Sequence, residues 1–443
     1  MGAAMASSVA VPSAGDVGGD AFLEKSRSVP FGGESDIIVA GGGPAGIAAA
    51  VTAARLGKSV RLFEAHGALG GIWTVGLLSC IIDFDHSDIS REIISRLDAL
   101  GARSPRRAKL LDRNFIYDPE CMKVVLEDMA TEAGVKFTYH SPVVAAYRDA
   151  SGRGISAVVT ESKSGRRAWR APLFIDCTGD GDLEALAGCG FDTGGVRPGD
   201  PDQPASLMAI VTVDDDSRIG RFVVNDPSGF EAGGKATGNP KRALYGAFAD
   251  IGVEPSYAAP TLFRIRRNLL ALMANHEYAV KVDDADAITS ATVRARREIF
   301  SLVRALASKG GPDWSGLRIV ATAGQLGHRC ARRIHGRYTL TGADVVGGSR
   351  FPDAVAECAF SMDVHAVTRA ANRVNAADAP EGMRHVRPYQ IPLRACRAKD
   401  VDNLYMAGRC ISGDFNAQAS YRVTGTAVAM GEGVARAVCG GMT

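Results

Sequence analysis

Gly41, Gly43, Gly46 and Glu64 are the residues of this 443-residue chain whose types and spacing most directly imply chemistry. They fall in the run SDIIVAGGGPAGIAAAVTAARLGKSVRLFEAHGALGG at positions 35–71. Gly41 permits a tight turn, Gly43 lets the backbone approach a pyrophosphate, and Gly46 lets a helix pack closely on a strand. Those roles demand particular elements: a buried strand at 37–40, a helix at 44–56 and a second strand at 59–63. Pro44 and Ala45 then stand in the first turn of the helix, where free N–H groups face the phosphates. Glu64 follows the second strand, 18 residues beyond Gly46. Its carboxylate can accept hydrogen bonds from both ribose hydroxyls and would repel a 2′-phosphate, which favours FAD or NAD over NADP.

A second glycine pair, Gly70-Gly71, brings the chain close to the ligand again. The order of glycine fingerprint, acid and Gly-Gly resembles the FAD-dependent oxidoreductases of the glutathione-reductase-like superfamily, and that resemblance implies FAD. It also implies roles further along. The segment at Val143 supplies backbone groups to the adenine ring, and the apolar strand ending at Thr178-Gly179 lies beside the cofactor. Near the C-terminus, an apolar strand at 404–407 leads into Gly408 and Arg409. Arg422 precedes a helix that opens at Thr424-Gly425-Thr426 and points its N-terminus at the flavin pyrimidine edge, where free N–H groups and the helix dipole stabilise negative charge.

The remaining pattern gives a helix at 87–101, a helix within 117–134 opened by Asp118-Pro119-Glu120, a strand at 135–140 and a hairpin over 154–162 and 168–172. A middle segment carries a strand at 206–213 and helical periodicity at 261–275 and 290–309. Pro and Gly cluster at 194–204 and 228–240 as boundary and loop. The expected architecture is α/β: a Rossmann-like FAD-binding domain built from 35–200 and 388–443, and an α+β substrate domain at 201–387. Residues 1–34, rich in Ala, Ser, Gly and Val, read as a flexible extension and not as a signal peptide.

Composition agrees with an enzyme of small molecules. The chain exceeds one ordinary core, and 46% hydrophobic residues can fill two. A net charge of +2, with both signs interspersed, argues against nucleic acid or a membrane surface as partner. No run of about 18 apolar residues predicts a spanning helix. The nine cysteines are scattered without a C-x-x-C pair; they read as reduced thiols of a cytoplasmic protein, with no disulfide frame, metal site or redox dithiol.

The segments 322–365 and 389–412, with the C-terminal helix, resemble one branch of these flavoproteins, the broad family of FAD-dependent oxidoreductases. The resemblance covers nearly everything from residue 30 onward. The chain departs from that branch at Arg329-Cys330-Ala331-Arg332-Arg333-Ile334, where a carboxylate and a hydroxyl of the usual run are missing, and at 425–428, where relatives often carry a Cys. By resemblance, His365 is a candidate base that takes a proton from a C–OH or C–NH group as hydride leaves for the flavin; the alternative is a structural histidine on a helix at 360–371. Arg329 and Arg333 match retained positions and are candidates for a substrate carboxylate or phosphate. Arg332 and Arg337 read as interdomain ion pairs. Trp73, Thr74, Tyr338 and Tyr421 are candidate pocket residues. The expected function is oxidation of a small polar substrate by FAD. Two competitors stand beside it: an NAD(P)H-dependent flavin monooxygenase and a non-catalytic FAD-binding protein.

Overall fold

Short runs of aliphatic residues that are apolar on both faces need cover from both sides, and parallel sheets provide it. Leu404–Met406, Leu173–Asp176, Ile37–Ala40, Val60–Phe63 and Lys136–Thr138 lie side by side in that order, all parallel. Ile37–Ala40, at the centre, is buried throughout. The computed structural model describes residues 16–18, 21–23, 26–105, 113–197, 200–226, 238–375, 383–384 and 386–441.

The helix Pro44–Arg55 crosses from the central strand to its neighbour and packs along the C-terminal helix Thr424–Cys439. Gly431 makes that approach possible, since a Cβ there would stand 2.1 Å from the Ala45 carbonyl oxygen. Because the strands are parallel, Gly41, Glu64, Cys177 and Ala407 all leave the same edge of the sheet. That carboxyl edge is where open α/β sheets bind ligands, and this is a Rossmann-like α/β arrangement.

A second sheet runs Val143–Arg148, Ile155–Thr160, Arg167–Arg170 and Phe31–Glu34. The last pairing is parallel, so residues 31–34 are a strand and not part of a flexible extension. Residues 16–18 and 21–23 pair as a small antiparallel hairpin, and residues 1–15 lie outside the described residues.

The middle of the chain builds an antiparallel sheet in the order Thr261–Arg266, Leu269–Met273, Ala209–Thr212 and Arg318–Thr322. The helix Ala285–Lys309 covers it with Ala291, Ala295, Ile299, Leu302 and Leu306, one stripe at helical spacing. Residues 261–275, whose spacing predicts a helix, form a hairpin instead. Each strand has three consecutive buried residues, Thr261–Phe263 and Leu270–Leu272, so the apolar run loses the period of two that marks a half-exposed strand. Asn268, at φ +63°, makes the turn. The expected helix at 360–371 is also absent: Met362–Asp363 is a short strand, helix begins only at Arg369–Asn375, and His365 lies between them. Most of the expected loop at 228–240 falls outside the described residues.

Among the described residues two apolar cores result. The first joins the parallel sheet to residues from Ile334 through Met362 and on to Val438. The second joins Leu77, Cys80 and Ile116 to the antiparallel sheet. The segment 201–387 is therefore not one packing unit, since its last part belongs to the first core. No helix among the described residues is long and apolar enough to cross a membrane.

Candidate active site

The turn after the central strand is built by contact. Gly41 has φ +90°, and a Cβ on it would stand 2.5 Å from the Cys177 carbonyl oxygen. A Cβ on Gly46 would stand 1.9 Å from the Gly41 carbonyl oxygen. Gly46 thus serves helix packing and does not line the cleft. Gly43 differs: a Cβ there meets nothing within 4 Å, and this residue caps the helix with no side-chain hydrogen bond. Its open side faces a cleft also lined by Gly41, Pro44, Ala45, Glu64, Gly71, Val143, Thr178, Gly179, Gly408, Arg409, Arg422 and Thr424.

Glu64 is buried, its Oε2 accepting from the Gly42 N–H at 2.7 Å and its Oε1 from the His66 N–H at 2.8 Å. Each oxygen keeps acceptor capacity for a ligand hydroxyl. Asp176, fully buried at the end of its strand, accepts from the Thr178 N–H and hydroxyl, both at 2.7 Å, and from the Leu183 N–H at 2.7 Å. It shapes the Thr178-Gly179 turn, a role invisible in the sequence pattern. Arg409 donates from Nη2 to Asp180 Oδ1 at 2.6 Å, with its Nη1 2.6 Å from where a Gly179 Cβ would stand.

Three further expected cofactor residues lie outside the cleft, as Gly46 does. Gly70 lines no cleft; its N–H donates to the Gly42 carbonyl at 2.8 Å and so holds the glycine turn from behind. Gly425 packs on backbone, its absent Cβ leaving room for the Asp83 carbonyl oxygen 2.0 Å away. Thr426 is buried and its hydroxyl donates to Cys358 Sγ at 3.3 Å. Only Thr424 of that triplet lines the cleft. The helix it opens has Val423 as its cap with no side-chain bond, so its first N–H groups have no intrahelical partner.

Several buried polar atoms facing this region have no partner among the described residues: Gln325 Oε1, His328 Nε2, Arg409 Nε and Arg422 Nε. All four side chains line the cleft. A mixture of unpaired donors and acceptors at one end, and a glycine turn with an open helix N-terminus at the other, fits a flavin dinucleotide.

A second cavity of about 370 Å³ shares Ile72, His328, Arg409, Arg422 and Thr424 with the cleft. Into it face His365, Asp363, Arg329 and Tyr257. His365 Nε2 lies 3.2 Å from Asp363 Oδ2, and its backbone N–H donates to Gln203 Oε1 at 2.9 Å. Burial, then the Arg329 charge, push the imidazole down to about 4, against the opposing pull of Asp363. Burial alone would raise Asp363, but the hydrogen bond from His365 and the Arg422 and Arg329 charges hold it well below the usual carboxylate range. Arg422 Nη2 donates to the Asp363 carbonyl at 2.9 Å and to its Oδ2 at 3.2 Å.

Arg329 is held from one side only. Its Nη1 donates to the Pro204 carbonyl at 2.5 Å and to Ser206 Oγ at 3.0 Å. Among the described residues no carboxylate lies within 4 Å of it, and burial followed by the Arg422 charge lowers it to about 10. His276, also buried, stacks on Tyr257 at 4.1 Å and stands edge-on to His365 at 5.3 Å. Both of its ring nitrogens are without partners among the described residues, and burial with the Arg329 charge keeps it neutral.

Arg333 does not join this group. It lies in the strand Arg333–Ile334 and donates from Nη1 to the Gly194 carbonyl at 2.8 Å, outside both cavities. Arg332 and Arg337 form ion pairs, with Asp182 and Asp402. Trp73 sits in an aromatic cluster with Phe84 and Tyr117. Thr74 donates to the Leu69 carbonyl, Tyr421 to the Ile411 carbonyl and Tyr338 to Asp344. None of these four lines either cavity. Sequence reasoning missed Asp363, Tyr257, His276, Gln325 and His328. The Asp363-x-His365 spacing was a signal within reach; the other residues come together only in the fold.

A model of the FAD dependent oxidoreductase family matches residues 36–440. No curated protein matches the chain. Solved structures similar to it include a geranylgeranyl bacteriochlorophyll reductase-like protein from Thermoplasma acidophilum, at 11% identity and a TM-score of 0.45, covering 93% of this chain and 79% of that one. L-proline dehydrogenase from P. horikoshii matches at 12% identity and a TM-score of 0.43, covering 93% and 95%. The p-nitrophenol 4-monooxygenase of Pseudomonas putida matches at 13% identity and 0.40, covering 69% and 70%.

Proposed function

The chain belongs to the FAD-dependent oxidoreductase family, and from that premise we propose that it oxidises a C–OH or C–NH group of a small substrate bound in the second cavity, with His365 as the proton acceptor. FAD is the cofactor, and its flavin ring, when bound, supplies the acceptor for the hydride. The residues that would hold it are the helix N-terminus after Gly43 for the pyrophosphate, Glu64 for the ribose, Val143 for the adenine, and Gln325, His328, Arg409 and the Thr424 helix N-terminus for the flavin.

The observation that carries the proposal is the Asp363–His365 pair in a cavity continuous with the dinucleotide cleft. With Nε2–H donated to Asp363, the lone pair of His365 is on Nδ1, which has no partner among the described residues. The ring is neutral at physiological pH and able to take a proton. Asp363 fixes the tautomer and favours the imidazolium as it forms. Arg329 opposes that charge until an anion neutralises it, so a substrate anion on Arg329 would both orient the reacting carbon and raise the basicity of His365 at the moment of use.

The test is anaerobic mixing of the FAD-loaded protein with alcohols, amines, hydroxy acids and amino acids while the visible flavin absorbance is followed. Bleaching by one class, with the matching ketone, imine or oxo product, is expected. Failure of every C–OH and C–NH donor to bleach the flavin would remove this reading.

A further inference from the structure

The second cavity is polar on one side and apolar on the other. Arg329, Arg422, Asp363 and His365 form one coupled group. Opposite in character is a face of the antiparallel sheet. Ala209 pairs with Leu272, which sets Met208 beside Met273, and Phe263 lies on the same face because Thr261 pairs with Met273. These three line the cavity, and Leu78 and Ile82 add to its apolar wall.

The charges lining this cavity do not cancel: Arg329 and Lys241 stand in excess of the Arg422–Asp363 and Arg409–Asp180 pairs. Arg422 is committed to Asp363 by two contacts, and both histidines are neutral. Arg329 is half-buried and bonded only to neutral acceptors, through Nη1. Its Nε and Nη2 form a planar edge suited to two parallel bonds from a carboxylate. An anion on that edge would face Arg329, with Lys241 adding a second positive charge to the cavity wall.

Resting on the oxidation proposed above, we infer that the substrate is a carboxylic acid with an apolar body: the carboxylate on the outer edge of Arg329, the oxidisable C–OH or C–NH carbon adjacent to it and beside His365, and an aliphatic or aromatic remainder on the Met208, Phe263 and Met273 face. In the reaction the C–H bond breaks with its electron pair passing to FAD, which is reduced by two electrons. The O–H or N–H proton goes to His365, and a C=O or C=N bond forms, giving a 2-oxo or 2-imino acid. A cavity of about 370 Å³ lies at the small end of ligand pockets, roughly 300–1,000 Å³, and suits one such acid.

The experiment uses ligands that cannot be oxidised. Acetate, 4-methylpentanoate and 4-methylpentanamide are titrated into the FAD-loaded protein, with calorimetry and the flavin absorption band as readouts. The branched acid should bind at least about tenfold tighter than its amide, as expected for loss of a charged hydrogen-bond pair. Affinity should grow by about fourfold for each methylene added between acetate and the longer acid. Arg329→Met should erase the acid–amide difference, and Met273→Gln should flatten the dependence on chain length while leaving acetate binding unchanged. Equal binding of acid and amide, or an affinity independent of chain length, overturns the inference, and the native protein alone suffices to show either. Bleaching by neutral polyols with no binding of the acids would overturn it while the oxidation reading stands. Tight, length-dependent acid binding in a protein whose flavin no C–OH or C–NH donor bleaches would uphold the acid site and remove the oxidation reading.

Discussion

At the scale of single residues, His365 is held neutral first by burial and then by the Arg329 charge, and of these only the charge is one that a bound anion would cancel. The imidazole's value near 4 comes from burial and Arg329. Since kcat/KM reports the free protein and kcat the complex, the kcat/KM profile should be flat above about pH 5 with respect to this group and fall toward pH 4. The kcat profile should break at a higher pH, because a bound anion cancels Arg329. Coincident breaks would remove the coupling. His365→Ala should slow anaerobic flavin reduction by about 10²–10⁴ with FAD still bound, and an unchanged rate would take His365 out of the mechanism. The same depression acts on stability. The unfolded imidazole titrates near 6.5 and the folded one near 4, so between those values the unfolded chain binds the extra proton, and folding stability is lost as pH falls through that window. The two arginines that sequence reasoning grouped should now separate. Arg329→Lys should raise KM with little change in FAD content. Arg333→Lys should leave KM alone and lower the melting temperature, because it removes the Nη1 donor that braces the Gly194 carbonyl. A KM effect from Arg333 would contradict this placement.

At the scale of elements, legibility followed burial. The fingerprint strand, its helix and Glu64 were readable because each local choice, glycine at the turn, Pro at the helix start and an acid after the second strand, points to one structure. The hairpin at 261–273 was not, because its strands are covered on both faces and their apolar run carries no alternation. The segment around His365 misled for a different reason: its length permits a helix, but the Asp363 pairing with Met383 draws it into an extended bridge. Helix docking gives a prediction at this scale. Gly431→Ala would place a methyl 2.1 Å from the Ala45 carbonyl oxygen, forcing the C-terminal helix off the cofactor helix. A cost of about 1–3 kcal/mol and loss of FAD are expected, measured by denaturant unfolding and flavin content. Gly246→Ala, inside the helix Pro240–Asp250 where an added methyl meets nothing within 4 Å, should be neutral or stabilising by up to about 1 kcal/mol. Equal effects at the two sites would show that helix approach does not govern cofactor binding.

At the scale of the whole molecule, the cleft draws on residues 40–72, 142–182, 325–328 and 407–427, segments brought together only when both ends of the chain have folded. A ligand seated there binds the native state and not the unfolded chain, so it should stabilise the protein by RT ln(1 + [L]/Kd), about 2.7 kcal/mol at a hundredfold excess over Kd. The melting temperature of the cofactor-free protein should therefore rise with the logarithm of FAD concentration. FMN lacks the AMP half that Gly43 and Glu64 would receive, and it should produce little rise over the same range. Glu64→Arg should suppress the FAD-dependent rise. It replaces an acceptor with a cation and also strips the Gly42 and His66 N–H groups of their partner, a loss of about 1.5–3 kcal/mol for hydrogen bonds to a charged group. The melting temperature of that variant without FAD separates the two effects: a large drop there assigns Glu64 to the turn, whereas a small drop with the FAD response gone assigns it to the ribose. FMN stabilising the native protein as well as FAD does would show that the flavin end alone carries the binding, against the glycine turn and the acid that made this chain readable.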